Sequence, residues 1–211
     1  MQFNNRENKC HIIDGREIWH SRSVAVVGMV LMLHEGETYV LMGKRGGALP
    51  NEVGKFCMPC GYLDWGETTE EAVVREIWEE TGLNIDKTKS GYNIIEDKMD
   101  YPWKIHSDPE TQLQNVSLHY AIYFDSKANM HRDIARLPEV TIENNPSPFS
   151  ELEKNFPDKI AHMSESEKEI ERNKREVDEV KWIKVEDLHR YEIAFNHDST
   201  INVFVNNLSR D

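Results

Sequence analysis

Glu67, Glu76, Glu79 and Glu80 stand with Arg75 in one short stretch, GYLDWGETTEEAVVREIWEETGL, residues 61–83. Like charges at i,i+4 destabilise an exposed helix by roughly 0.2–0.5 kcal/mol per pair, so Glu76 and Glu80, with Glu79 beside them, invite a compensating cation. Oxygen-only donors select a hard cation, which makes Mg²⁺ or Mn²⁺ the expected ion rather than zinc.

Whether these side chains meet depends on the helix that carries them. With Ala72 at zero and 100° per residue, Glu79, Glu76 and Glu80 fall at about −20°, 40° and 80°, whereas Val73, Ile77, Thr81, Val74 and Trp78 occupy about 100° to 240°. The spacing predicts an acidic face backed by a core face. Thr68 is placed to cap the first turn and Glu71, three residues on, to complete a capping box. Gly82 supplies the left-handed stop. A charge run is usually a solvated face, but Arg75, at about 300° and beside Glu79, together with Glu67 ahead of the helix, is more than such a face requires.

The segment resembles the signature of the Nudix hydrolases. That signature is a glycine, five residues, a glutamate, seven residues, then Arg-Glu-aliphatic-any-Glu-Glu-any-Gly-aliphatic. Gly61, Glu67, Arg75, Glu76, Ile77, Glu79, Glu80, Gly82 and Leu83 fill every fixed position.

The resemblance implies an α/β fold, an α/β/α sandwich with a mixed sheet. It implies divalent-metal-dependent hydrolysis of a diphosphate linkage in a nucleoside diphosphate joined to another group. Metal ions suit that reaction because they neutralise phosphate oxygens and lower the pKa of the attacking water. By motif position Glu76, Glu79 and Glu80 are the implied metal ligands and Glu76 the first choice for the base. Arg75 orients a carboxylate, with Glu67 as its ion-pair partner. Where relatives usually place another glycine, whose carbonyl can bind metal, this chain has Cys60; a left-handed conformation there would cost about 1 kcal/mol or more. A further acidic ligand from a later loop corresponds best to Glu176. Arg22 and Arg45 are the candidate phosphate-binding cations, and Trp19, Trp65, Tyr101 or Trp103 the candidate base-stacking groups. The alternative on the same scaffold is a non-catalytic nucleotide sensor; the intact glutamate set favours the enzyme.

The chain has 211 residues and a formal charge of −13. That charge disfavours a nucleic acid polymer, whose backbone is bound by Lys and Arg, and points to a small nucleotide-type substrate. No run approaches the roughly 20 apolar residues of a membrane span and MQFNNRENKC has no apolar signal core, so a cytoplasmic location is expected. Three cysteines argue against a disulfide framework. Cys57 and Cys60 form a CxxC, but further zinc ligands of matching spacing are missing, and packing cysteines are the better reading.

The elements that must position the helix follow from periodicity. SVAVVGMVLML (residues 23–33) reads as a buried strand with TYVLMGKR as its hairpin partner; residues 92–95 and VSLHYAIYF (116–124) read as further strands, the latter central. Residues 98–114 form a long connection or edge strand. A strand at 180–185 and a helix from about Asp198 to Leu208 close the chain. This gives an N-terminal extension (1–20) and one domain (21–211) with an insertion at about 126–174. The insertion contains a polar helix opened by Ser164-x-x-Glu167, and is a candidate lid or homodimer interface.

Overall fold

The computed structural model describes residues 8–108, 115–128, 136–145 and 149–208. The expected N-terminal extension holds a hairpin of its own, Lys9–Ile13 (β1) against Arg16–His20 (β2), turning at Asp14-Gly15. Asp-Gly between two strands is a strong hairpin signal because both residues take positive φ. All ten strand residues are exposed and the pair forms a separate two-stranded sheet.

The main sheet is built on Val24–His34 (β3), whose β-branched run is buried on both faces as a central strand must be. It pairs antiparallel with Glu37–Arg45 (β4) through the Glu35-Gly36 turn. Short strands follow at Phe56–Cys57 (β5) and Cys60–Tyr62 (β6), pairing β4 and β3 respectively. Helix Thr69–Thr81 (α1) comes next, then Ile85–Gly91 (α2), capped by Asn84 and not foreseen in the sequence. Tyr92–Lys98 (β7) and Lys104–His106 (β8) both pair with Val116–Ala128 (β9), which lies parallel to β3. Helices Phe149–Asn155 (α3), Pro157–Ala161 (α4) and Glu165–Asn173 (α5) precede Val177–Lys184 (β10), and His197–Leu208 (α6) ends the fold. The principal strand order is β10-β4-β3-β9-β7, a mixed sheet.

Two buried clusters flank that sheet. Val73 and Ile77 of α1 pack with Val26, Val30, Tyr120 and Ile122 on one face; Ile201 and Phe204 of α6 pack with Met29, Leu31 and Ala121 on the other. The protein is thus an α/β/α sandwich. Gly28 sets the α1 contact: a Cβ there would meet Ile77 Cδ1 at 2.7 Å, so only glycine lets the helix sit this close to β3. Among the described residues no helix is long and apolar enough to cross a membrane.

The insertion begins later than expected. β9 continues through Ser126 to Ala128. Residues 136–145 are strapped to the core: Thr141 N donates to Thr81 O, the Trp182 indole donates to Pro138 O at 3.0 Å, and Leu137 and Val140 pack on the α1 cluster. The polar helix is α5, with the Ser164–Glu167 capping box formed; Pro146 and Pro148 lie outside the described residues.

On the α6 face, His119 and His197 are buried edge to face, ring centroids 6.2 Å apart. Burial, with like charge from Lys104 and His106, lowers His119 to about 4. An imidazole neutral in the fold but protonated in the unfolded chain means the unfolded state binds more protons below pH 6.5, so stability falls as pH drops from there toward 4. The unfolding free energy of the native protein relative to a His119→Gln variant is expected to fall by about 3 kcal/mol between pH 7 and 4. Urea melts of both proteins across that range measure it, and parallel pH profiles would refute it.

Candidate active site

Helix α1 begins and ends as its residues dictate. Thr68 accepts from Glu71 N, the Glu71 carboxylate accepts from Thr68 N at 2.8 Å, and Gly82 closes the helix at φ 69°. Its buried arc is Ala72, Val73, Glu76, Ile77, Glu80 and Thr81. Two of the acidic side chains therefore lie inside the buried face, because the helix rests on β3 through Val73 and Ile77 and their angles lie next to those two. Trp78, expected on the core face, is 43% exposed at its far edge.

Arg75 is the hub of the site. Its guanidinium donates to Glu67 at 3.0 and 2.7 Å, to Glu76 Oε1 at 2.7 Å, to Glu79 Oε2 at 3.1 Å and to the Tyr62 carbonyl at 3.1 Å. Asp64 stands 3.9 Å away, and Glu67 also accepts from Asp64 N. One cation thus ties the loop before the helix to three of its neighbouring carboxylates, and the hydrogen bonds from Arg75 hold Glu67 below the usual carboxylate range.

Glu76 and Glu80 are 8% and 4% exposed. Burial raises Glu76 to about 7, with Arg75 opposing and the charges of Glu79 and Glu176 adding to it. Burial pushes Glu80 up as well, helped by Cys57, Glu76 and Glu176 and opposed by Cys60 N, which donates to Glu80 Oε2 at 3.1 Å. The Glu76 carboxylate lies against the backbone of Gly61, where any Cβ would collide with both its oxygens. That close approach is the physical reason for a glycine at this position.

Cys60 is a strand residue with negative φ, paired with Val27, so the strain expected of a non-glycine residue does not arise. Cys57 and Cys60 are free thiols, the first buried and the second half-buried. The hydrogen bond shared by the two thiols raises Cys60, with burial adding to it, and lowers Cys57. Among the described residues no three His, Cys, Asp or Glu side chains converge on a common point.

Glu176 immediately precedes β10 and is close enough to act electrostatically on both Glu76 and Glu80. Its backbone is held on two sides: Glu176 N donates to Asn145 Oδ1 at 3.1 Å and its carbonyl accepts from Gly46 N at 2.7 Å. Asn145, buried and also accepting from Val177 N, is a positioning residue that no local pattern reveals.

The two arginines expected at the phosphates make bonds within the fold, and Arg45 also acts on the Cys57 and Cys60 thiols. Arg22 donates to the carbonyls of Ser107, at 2.9 Å, and Asn115, pinning the connection between β8 and β9. Arg45 is buried, its guanidinium 4.7 Å over the Phe195 ring and bonded to Asn51 O at 3.0 Å. Of the aromatics, Trp19, Trp65 and Tyr101 are exposed, while Trp103 packs on Phe204.

A mixed sheet between helices, with two buried glutamates on α1 and an arginine hub that bonds one of them, defines a class of protein that comparison with known chains identifies. Residues 22–128 match the family model described as NUDIX domain, and the chain belongs to that family of hydrolases. It is 65% identical over 68 residues to an ADP-ribose pyrophosphatase of Methanocaldococcus jannaschii, covering 32% of this chain and 36% of that one. It is 41% identical over 58 residues to an RNA pyrophosphohydrolase of Roseobacter denitrificans, covering 28% and 33%. The match thus spans about a third of the length of these curated relatives. The NUDIX domain of Shewanella oneidensis NrtR, solved in complex with ADP ribose, superposes with a TM-score of 0.55 at 15% identity over 90% of each chain, a likeness of fold.

Proposed function

We propose that the protein is a divalent-metal-dependent hydrolase of a diphosphate linkage in a nucleoside diphosphate joined to another group. The observation that carries this reading is the pair Glu76 and Glu80, two buried carboxylates on one helix whose proton affinity is raised by burial and further by the charge of Glu176. Buried like charges persist only with a compensating partner. Arg75 meets Glu76 and Glu79, whereas Glu80 accepts from the Cys60 amide.

All-oxygen donors suit a hard divalent cation, Mg²⁺ or Mn²⁺. Glu76, Glu79 and Glu80 would hold it, with the Cys60 carbonyl and Glu176 as further oxygen donors. Such an ion, when bound, supplies charge neutralisation for phosphate oxygens and a more acidic water. The remaining work falls to the chain's own groups. Glu76, poised near neutrality, is suited to accept a proton from the attacking water. Arg75 fixes the rotamers of Glu76 and Glu79 and anchors them to Glu67, so the carboxylates are placed before substrate arrives. Gly61 leaves the Glu76 oxygens room beside the strand.

Monophosphate release from ADP-ribose, NADH, diadenosine polyphosphates and nucleoside triphosphates, with Mg²⁺ and with Mn²⁺, tests the proposal. Release from at least one two-ended diphosphate is expected, dependent on the ion. Silence across the set with both ions would leave the nucleotide-sensor reading in its place.

A further inference from the structure

The chain enters α6 through two consecutive non-glycine residues with positive φ, Phe195 at 57° and Asn196 at 55°. A bulky residue in that region is uncommon and persists only where its surroundings hold it there. Here the contacts run to the strands beside the candidate active site. Phe56 N donates to Glu192 O at 2.8 Å, and Arg45 lies 4.7 Å over the Phe195 ring. His197, the first residue of α6, is 3% exposed and accepts through Nδ1 from Met58 N at 3.0 Å.

Met58 is buried between β5 and β6, where its N–H needs an acceptor from outside the two strands. The residues that follow are held as firmly. Pro59 O accepts from Gly28 N at 2.9 Å, and Cys60 N donates to Glu80 Oε2 at 3.1 Å. The backbone of residues 58–60 thus links an imidazole on α6 to a buried carboxylate on α1. Burial, with the charges of His119, Arg45 and Lys104 adding to it, lowers His197 to about 3, so the ring stays neutral and keeps a lone pair on Nδ1.

We propose that His197 is a positioning residue of the divalent-ion site: by fixing the Met58 amide it sets the aim of the Cys60 backbone at Glu80. The assignment rests on the metal-dependent hydrolase reading and deepens it, naming the group on α6 that holds one of the ligands in place. Partners that orient a ligand from outside the coordination sphere govern metal affinity without touching the ion.

Mn²⁺ titrated into the metal-free full chain and followed by calorimetry, with no substrate present, tests the proposal. His197→Leu fills the space but offers no acceptor, and should weaken Mn²⁺ binding roughly tenfold. His197→Asn, whose Oδ1 stands close to the place of Nδ1, should recover most of that loss. Amide hydrogen exchange in chelator supplies the second readout. In His197→Leu the Met58 and Cys60 amides should lose more protection than those of β3 and β9. Equal Mn²⁺ affinity in the native protein and His197→Leu, or a loss of protection spread evenly over the sheet, overturns the proposal. So does a folded His197→Asn that binds Mn²⁺ tenfold more weakly than the native protein, which keeps the question decidable should the leucine variant not fold. Mn²⁺ affinity that follows the acceptor, in a protein that hydrolyses no diphosphate, would sink the enzymatic reading and keep the tether. Hydrolysis whose Mn²⁺ requirement and kcat are unmoved in His197→Leu would do the reverse.

Discussion

Glu80→Gln is expected to abolish most of the diphosphate hydrolysis and, in the same protein, to raise the unfolding temperature. The two effects have one cause. Glu80 is 4% exposed and its charged form is disfavoured by burial and by the neighbouring Cys57, Glu76 and Glu176. A glutamine is nearly isosteric and keeps an oxygen to accept from Cys60 N, so the only thing removed is the charge. In chelator at pH 8, where the unfolded chain carries Glu80 ionised and burial disfavours that form, the variant should melt higher, by about 2–4 °C for each kcal/mol of relieved burial. On the proposed reading Glu80 serves a divalent ion, and losing one anionic donor should lower turnover by ~10²–10³-fold. Turnover within a factor of two of wild type would remove Glu80 from the proposed ligand set. A lower unfolding temperature would show that the carboxylate stabilises the fold as well.

Arg75→Ala is expected to cost more stability than any other single change in the site. The guanidinium makes five hydrogen bonds, four of them to Glu67, Glu76 and Glu79. Removing one partner of a buried pair typically costs 3–5 kcal/mol; because the Arg75 side chain is 26% exposed and partly hydrated, about 3 kcal/mol is the expected loss. The carboxylates left behind repel one another, so Mg²⁺ should restore more stability to the variant than it adds to the wild type. Chemical denaturation with and without Mg²⁺ measures both quantities. A loss under 0.5 kcal/mol on this scale would mean that water replaces the guanidinium at little cost.

The site was legible in the sequence wherever its geometry is local. Thr68, Glu71 and Gly82 define α1 through contacts within one helical turn, and the spacing of Glu76, Glu79 and Glu80 follows from the same periodicity. The matching family model at residues 22–128 agrees with the motif that this helix carries. What the periodicity could not show is that Glu76 and Glu80 are buried, since that depends on how α1 rolls over Gly28. Nor could it show the contacts of Arg22 and Arg45 within the fold, whose partners, Asn115 and Phe195, are distant in sequence. Asn145, which holds Glu176, is equally invisible without the fold. The β1–β2 hairpin is a different omission: Asp14-Gly15 announces it locally, in a segment expected as an extension.

The parallel pairing of β3 with β9 also sets a timetable. Val24 meets Val116 only after everything between them, including α1, has been made. Contacts between such distant partners form slowly because a long loop must close first. Helix α1 can coil early from its own caps, but Tyr120 and Ile122, against which its apolar side packs, arrive with β9. During synthesis the ribosome therefore exposes a helix with one oily flank and one acidic flank before its sheet is complete. On that unfinished chain the acidic flank adds like charge, which opposes association with its neighbours through the oily one.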